Sequence, residues 1–194
     1  EGADVVIVAG CGVHSDGEEE ARHNGIHRFF VKKGAHVVYK EKHLGTGKGN
    51  GARRIDPITD VYLEEDSSLE MDTVQLGGVD RTSRKTSGVV GPRARLVVRE
   101  RLMTDGEEFA RTDFDVTMDG EDCGVDLISR SVAKGHSHQE FYSCMKGNAR
   151  CTGHSECDAI LSENGTVVAQ PALEANHIDA SLIHEAAIGK IAGE

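Results

Sequence analysis

Phe109-Ala-Arg-Thr-Asp-Phe-Asp-Val-Thr-Met118 alternates without a break. Ala110, Thr112, Phe114, Val116 and Met118 fall on one side, and Arg111, Asp113, Asp115 and Thr117 on the other. Side chains of an extended chain point alternately to opposite faces, so this stretch reads as a strand with one buried face. Its surroundings repeat a related signature. Seven times a turn-like stretch leads into a small residue, any residue, an apolar one, any residue, and a further, mostly apolar one. The instances start at Ala35, Ser67, Ala94, Cys123, Ala149, Gly165 and Ala180, the last two intervals being much shorter than the others. Spacing that uneven argues against identical units such as ankyrin or leucine-rich repeats. It suits a coil in which each rung of strands stacks on the last and loops of varying length bulge outward. An antiparallel sandwich is the rival reading, because Asn24-Gly25, Asp105-Gly106, Asp119-Gly120 and Asn164-Gly165 are two-residue hairpin signals. Helical spacing is nearly absent; the one short candidate is Asp16 to His23, where Asp16 would cap a Glu-rich turn.

A stacked coil has a column for a core, and its end rungs must be covered by caps or by a partner. The last rung here, Ala180 to Glu185, lies close to the end of the sequence, so an oligomer is expected. In that rung His184 takes the slot that Tyr39, Met71, Val98, Leu127 and Ala169 take elsewhere, which points it inward, with Glu185 pointing the other way. An inward histidine is either a core residue satisfied by a hydrogen bond or, at an open end, a neutral imidazole able to hold metal.

Composition sets the outer limits. With Gly counted and Tyr left out, apolar residues make about 48% of the 194, ordinary for a globular chain. No apolar stretch approaches the ~20 residues of a membrane span, and the start of the chain lacks the charged-then-apolar order of a secretory signal. Twenty-two Lys and Arg against 33 Asp and Glu leave a net charge of −11. Nucleic acid is therefore a poor partner, since its binding is driven by cations that displace counterions. Five cysteines, Cys11, Cys123, Cys144, Cys151 and Cys157, are odd in number and scattered, which suits reduced cytosolic thiols better than a disulfide framework. The expectation is a cytoplasmic protein. Five Phe, three Tyr and no Trp count against a sugar-binding cleft lined by aromatic platforms.

Four constellations could carry chemistry. Cys11-x-x-His14 with His23 and His27 offers four N/S ligands, but its gap is not the usual zinc frame, and a loop with several histidines is the plainer reading. Gly45, Gly47, Gly49 and Gly51 surround Lys48, yet no Ser or Thr follows the lysine, so this is a flexible loop and not a phosphate cradle. His136 and His138 could share a metal on one strand face, against a solvated turn after Gly135. Cys151, Gly153, Ser155 and Cys157 share one face, with His154 and Glu156 on the other. Two thiols on one face are soft ligands, suited to iron–sulfur clusters or Cu(I), though free cysteine also packs as a small hydrophobe.

Several motifs taken together resemble the SufB/SufD family, the scaffold proteins of the SUF iron–sulfur assembly machinery. They are Gly25-Ile-His-Arg-Phe-Phe30, Asp80-Arg-Thr-Ser-Arg-Lys-Thr86, Gly153-His-Ser-Glu-Cys-Asp-Ala-Ile160 and, longest of all, Asn176 through Glu194. The resemblance is to short, SufB-like archaeal and bacterial members and spans nearly the whole chain. It implies a right-handed parallel β-helix, all-β, with residues 1–194 forming one core domain. It implies no enzymatic activity of the chain itself, but assembly with a second SufB/SufD-like subunit, as a homodimer, through the last rungs. A transient [4Fe–4S] or [2Fe–2S] cluster would be built at that junction. It further implies a SufC-type ABC ATPase as partner, bound through helices that would follow the β-helix beyond Glu194. Cluster-binding positions carried over are His184 and Glu194, with Glu185, Cys151 and Cys157 as further ligands; His184, Glu194 and Cys157 are the expected iron ligands. The family's sulfur-accepting cysteines fall on Val116 and Gly165, so Cys151 and Cys157 would replace them or sulfur would arrive as free sulfide. Two other classes stand beside this one: a polysaccharide-active β-helix enzyme using Asp113 and Asp115, and a structural, filament-forming coil.

Overall fold

A computed structural model describes residues 1–191 of the chain. Fifteen strands and no helix occur among them. In chain order they are β1 (Asp4–His14), β2 (Ala21–His23), β3 (Ile26–Val31), β4 (His36–Thr46), β5 (Arg53–Ile55), β6 (Ile58–Leu63), β7 (Ser68–Gln75) and β8 (Arg81–Val90), then β9 (Arg95–Thr104), β10 (Phe109–Met118), β11 (Cys123–Ala133), β12 (His138–Gly147), β13 (Cys151–Leu161), β14 (Thr166–Ala175) and β15 (Ala180–Lys190). Every pairing between them is parallel. The first sheet runs β1-β4-β7-β9-β11-β13-β15; the second holds β14, β12, β10 and β8, continued by β5 and β6 and then by β2 and β3. The chain alternates between the two sheets as it climbs. This is a parallel β-helix of about six turns, and the hairpin signals mark corners of the coil, not antiparallel returns.

Register shows a more regular repeat than the sequence suggests. Asp4, His36, Ser68, Arg95, Gly124, Thr152 and Ser181 stack in one row, at nearly even intervals along the chain. Two of the seven expected instances are therefore misplaced. Cys151, not Ala149, stacks on Cys123, and Gly165 leads into β14 on the second sheet. The short steps from Ala149 to Gly165 and from Gly165 to Ala180 arise from reading two sheets as one. The column through His184 is Ile7, Tyr39, Met71, Val98, Leu127, Ser155 and His184, and Ala169 lies on the opposite sheet.

Burial follows the alternation. In β10 Ala110, Thr112, Phe114, Val116 and Met118 are buried, as the period-2 reading requires. Leu69, Leu96 and Val125 stack in one interior column, with Leu69 and Leu96 at 0% exposure. A side chain so enclosed gains roughly 1.5–3 kcal/mol from leaving water. At Gly153 of that column there is no room for a Cβ, which would come 2.8 Å from Leu182 and 3.3 Å from the sulfurs of Met118 and Met145.

The segment expected as a helix, Asp16 to His23, is instead a bend followed by β2. Its backbone is committed to the next turn of the coil: Gly49 donates to the Ser15 carbonyl and Gly51 to the Gly17 carbonyl, both at 2.9 Å. The Asp16 carboxylate accepts from the Lys48 N–H at 3.1 Å. The glycine run serves this stacking. Gly47 has φ +102°, and a Cβ there would meet the Ser15 carbonyl oxygen at 2.0 Å. Close approach of two turns, not phosphate binding, accounts for these glycines.

Candidate functional site

Each end of the described coil gathers residues of chemical interest. At the far end β15 pairs only with β13 among the described residues. Its inward positions are Ala180, Leu182, His184 and Ala186, stacked over Cys151, Gly153, Ser155 and Cys157. His184 thus has the inward parity read from the sequence, yet it is exposed because no rung among the described residues covers it. Glu185 stacks over Glu156, on the outward face. Cys157 lies beneath Ala186 at 2% exposure, its thiol pushed up to about 12 by burial and by the negative charges of Glu100 and Asp158. Cys151 is equally enclosed between Cys123 and Ala180, and burial raises its thiol as well. Glu194 lies outside the described residues. Within one protomer, no three of His184, Glu185, Cys151 and Cys157 converge at ligand spacing.

The near end differs. Cys11 on β1, His27 on β3 and Glu41 on β4 have donor atoms all within 4.8 Å of one another, the one such group among the described residues. The Cys11 thiol donates to Glu41 Oε1 at 3.3 Å, and His27 Nε2 lies 3.8 Å from the same oxygen. His43 Nε2 approaches that oxygen at 3.2 Å. Arg84 can only donate, so its 3.0 Å contact with His43 Nδ1 makes that nitrogen the acceptor and leaves the proton on Nε2, which lies near Glu41 without hydrogen-bond geometry. Burial alone would raise the Glu41 carboxyl, but His43, Cys11 and His27 outweigh it and hold the group at about 2. Glu41 is therefore a carboxylate at neutral pH. The Cys11 thiol is pushed up to about 11 by burial and by Glu41, and is protonated there.

Between the ends a polar spine runs inside the coil. From Glu41 and His43 it passes to Arg84, which pairs with Glu100 and lies 3.5 Å from Gln75 Oε1. Thr112 donates to Glu100 at 2.9 Å and Ser129 at 3.3 Å, and Ser129 stacks directly below Cys157. Ser143 and Ser155 hydroxyls meet at 2.9 Å nearby. Arg84 at 5% exposure and Glu100 at 2% are buried charges, tolerable only because each is paired and hydrogen-bonded. An enclosed cavity of about 10 Å³, lined by Glu41, Thr73, Arg84 and Glu100 among others, interrupts the spine; it has the size of a single water. Thr73 Oγ1 and Arg84 Nε, both buried and without partners, belong to its lining residues.

Of the four residues weighed against a zinc frame, Cys11 and His27 come together, while His14 turns outward to Asp16 and Thr46, each at 2.9 Å. Sequence reading missed Glu41 and His43. Their spacing from Tyr39 was the available signal, since inward parity at Tyr39 passes to residues 41 and 43. His136 and His138 do not face a common metal: His138 bonds Thr166 at 2.7 Å and His136 bonds Asn164 at 3.2 Å. Val116 is a fully buried core residue, and at Gly165 a Cβ would strike the Ala133 carbonyl oxygen at 2.2 Å, so no thiol fits there without a backbone shift. Asp113 is paired with Arg111 and Asp115 with Lys146, which gives neither the freedom expected of a glycosidase carboxylate.

Strand order and register together define a parallel β-helical protein. The family model described as SUF system FeS cluster assembly, SufBD core domain, matches residues 1–194. The chain belongs to the SufBD family. It is 27% identical over 199 residues to an iron–sulfur cluster assembly SufBD family protein of Methanothermobacter thermautotrophicus, covering all of this chain and 47% of that relative. A relative of the same description from Archaeoglobus fulgidus is 28% identical over 195 residues, again over the whole chain and 51% of its own length. The chain spans about half the length of these curated relatives. No helix among the described residues is long and apolar enough to cross a membrane.

Proposed function

We propose that this chain is a cytoplasmic, non-enzymatic scaffold on which an iron–sulfur cluster is built as cargo, in the seam between its last rung and that of a second SufB/SufD-like subunit. One observation carries the reading: among the described residues β15 has an unpaired edge and, beside it, an imidazole of inward parity that none of them covers. A free parallel edge is a template for association, and apposing two such ends would bring two imidazoles together. His184 and Glu194 are the first candidates for iron ligation, with Glu185 outside the seam. Cys157 and Cys151, one rung below, would join when the last rung lifts. Imidazole and carboxylate hold iron less tightly than four thiolates, which suits a [4Fe–4S] or [2Fe–2S] cluster meant to leave. A SufC-type ABC ATPase would supply the energy, its closure on ATP rotating the two scaffolds and opening the seam. Anaerobic reconstitution with ferrous iron and sulfide is the test. The expected result is a broad sulfide-to-iron absorbance in the assembled protein, lost in His184→Ala. A cluster that forms equally well in His184→Ala contradicts the ligand assignment.

A further inference from the structure

The near end of the coil carries a site that the terminal-rung reading does not use. A tetrahedral ion with bonds of roughly 2.0–2.3 Å holds neighbouring ligand atoms about 3.3–3.8 Å apart. Cys11 Sγ and Glu41 Oε1 are 3.3 Å apart, and His27 Nε2 and Glu41 Oε1 are 3.8 Å apart. Two edges of the tetrahedron therefore already stand at bonding distance, and the third falls within 4.8 Å. We propose that Cys11, His27 and Glu41 form a three-ligand site for a divalent first-row transition-metal ion of the Fe²⁺ or Zn²⁺ kind.

The surroundings fit such an ion. One thiolate and one carboxylate balance a charge of +2. Mixed sulfur, nitrogen and oxygen donors select borderline ions and disfavour Mg²⁺ and Ca²⁺, which want oxygen alone. His43, held by Arg84, stands 3.2 Å behind the carboxylate, close to the place that outer partners of metal ligands take. The His27 ring leans on Tyr39 at 5.7 Å between centroids, and Phe29 packs edge-on to Tyr39 at 5.0 Å, giving an apolar wall on one side. Cys11 and His27 are partly exposed among the described residues, so an ion can reach the three donors. Three protein ligands leave a fourth position for water or another ligand.

The test uses the full, reduced chain under anaerobic conditions, titrated with Co²⁺ and no sulfide, so that no cluster can form. The expected result is one Co²⁺ per chain with a thiolate-to-cobalt charge-transfer band, displaced by Zn²⁺. Cys11→Ser removes the band, His184→Ala leaves it intact, and Glu41→Gln weakens binding at least about tenfold. Circular dichroism of each variant establishes that the strands persist. X-ray absorption of the cobalt-loaded wild type needs no variant and should show sulfur and imidazole in the shell. A shell of oxygen alone, or a band that survives Cys11→Ser and disappears in Cys144→Ser, overturns the proposal.

Discussion

The two ends of the coil present the same problem and answer it differently. At the first rung, donors from β1, β3 and β4 converge within a single protomer. At the last rung, His184 has inward parity but no described rung covers it, Glu185 faces outward, and both cysteines sit one rung below. Stacking explains the contrast. Glu41 is enclosed because it lies on the second rung, with Thr73 stacked above it and Arg84 beyond, whereas β15 has no described strand above it. A rung in the interior can gather ligands from its neighbours.

The largest expected effect is a double dissociation between the ends. His184→Ala abolishes the cluster absorbance and leaves Co²⁺ binding unchanged, while Cys11→Ser removes the thiolate–cobalt band and leaves cluster formation on sulfide and iron in place. Loss of both signals in either variant, with circular dichroism intact, would mean that the ends are one site.

Next in size is the spine that joins them. Arg84→Ala leaves Glu100 buried without its partner, and equilibrium denaturation should show a loss of about 3–5 kcal/mol. A loss below about 1 kcal/mol would mean that water reaches Glu100.

The middle and the end can be compared within one column. Leu96→Ala, at a fully buried rung, should cost about 2–5 kcal/mol. Leu182→Ala, at the half-covered last rung, should cost roughly half as much in the isolated protomer, because less area leaves water. Equal costs would place a cover over β15.

A further effect appears only at alkaline pH. The Cys157 thiol ionises near 12 when folded against 9.0 in the free thiol, so the folded state keeps a proton that the unfolded chain sheds. Its contribution is complete below pH 9 and falls as pH rises from 9 toward 12, at up to about 1.4 kcal/mol per pH unit. Chemical denaturation across that range should show a shallower alkaline decline in Cys157→Ala than in the wild type.

Much of this is legible in the residues, and the limits have physical causes. Phe109–Met118 reads as a strand because alternation is a local property, and the same holds for the face shared by Cys151, Gly153, Ser155 and Cys157. The parity of His184 and Glu185 follows in the same way. Register is not local. Ala149 and Gly165 fall into the wrong row because a small residue before an apolar one marks corners on both sheets. The Cys11–His27–Glu41 group stays hidden because its members belong to three different strands and meet only once β4 is stacked on β1. Arg84 and Glu100 go unnoticed in the sequence, because nothing in composition says that each will find the other inside.

Sedimentation velocity of the anaerobically reconstituted protein, followed both by protein absorbance and in the sulfide-to-iron band, bears most directly on where the cluster sits. All cluster absorbance should travel with a species of two subunits, and none with the single protomer. Cluster absorbance that sediments with a lone chain would contradict a site shared between two last rungs.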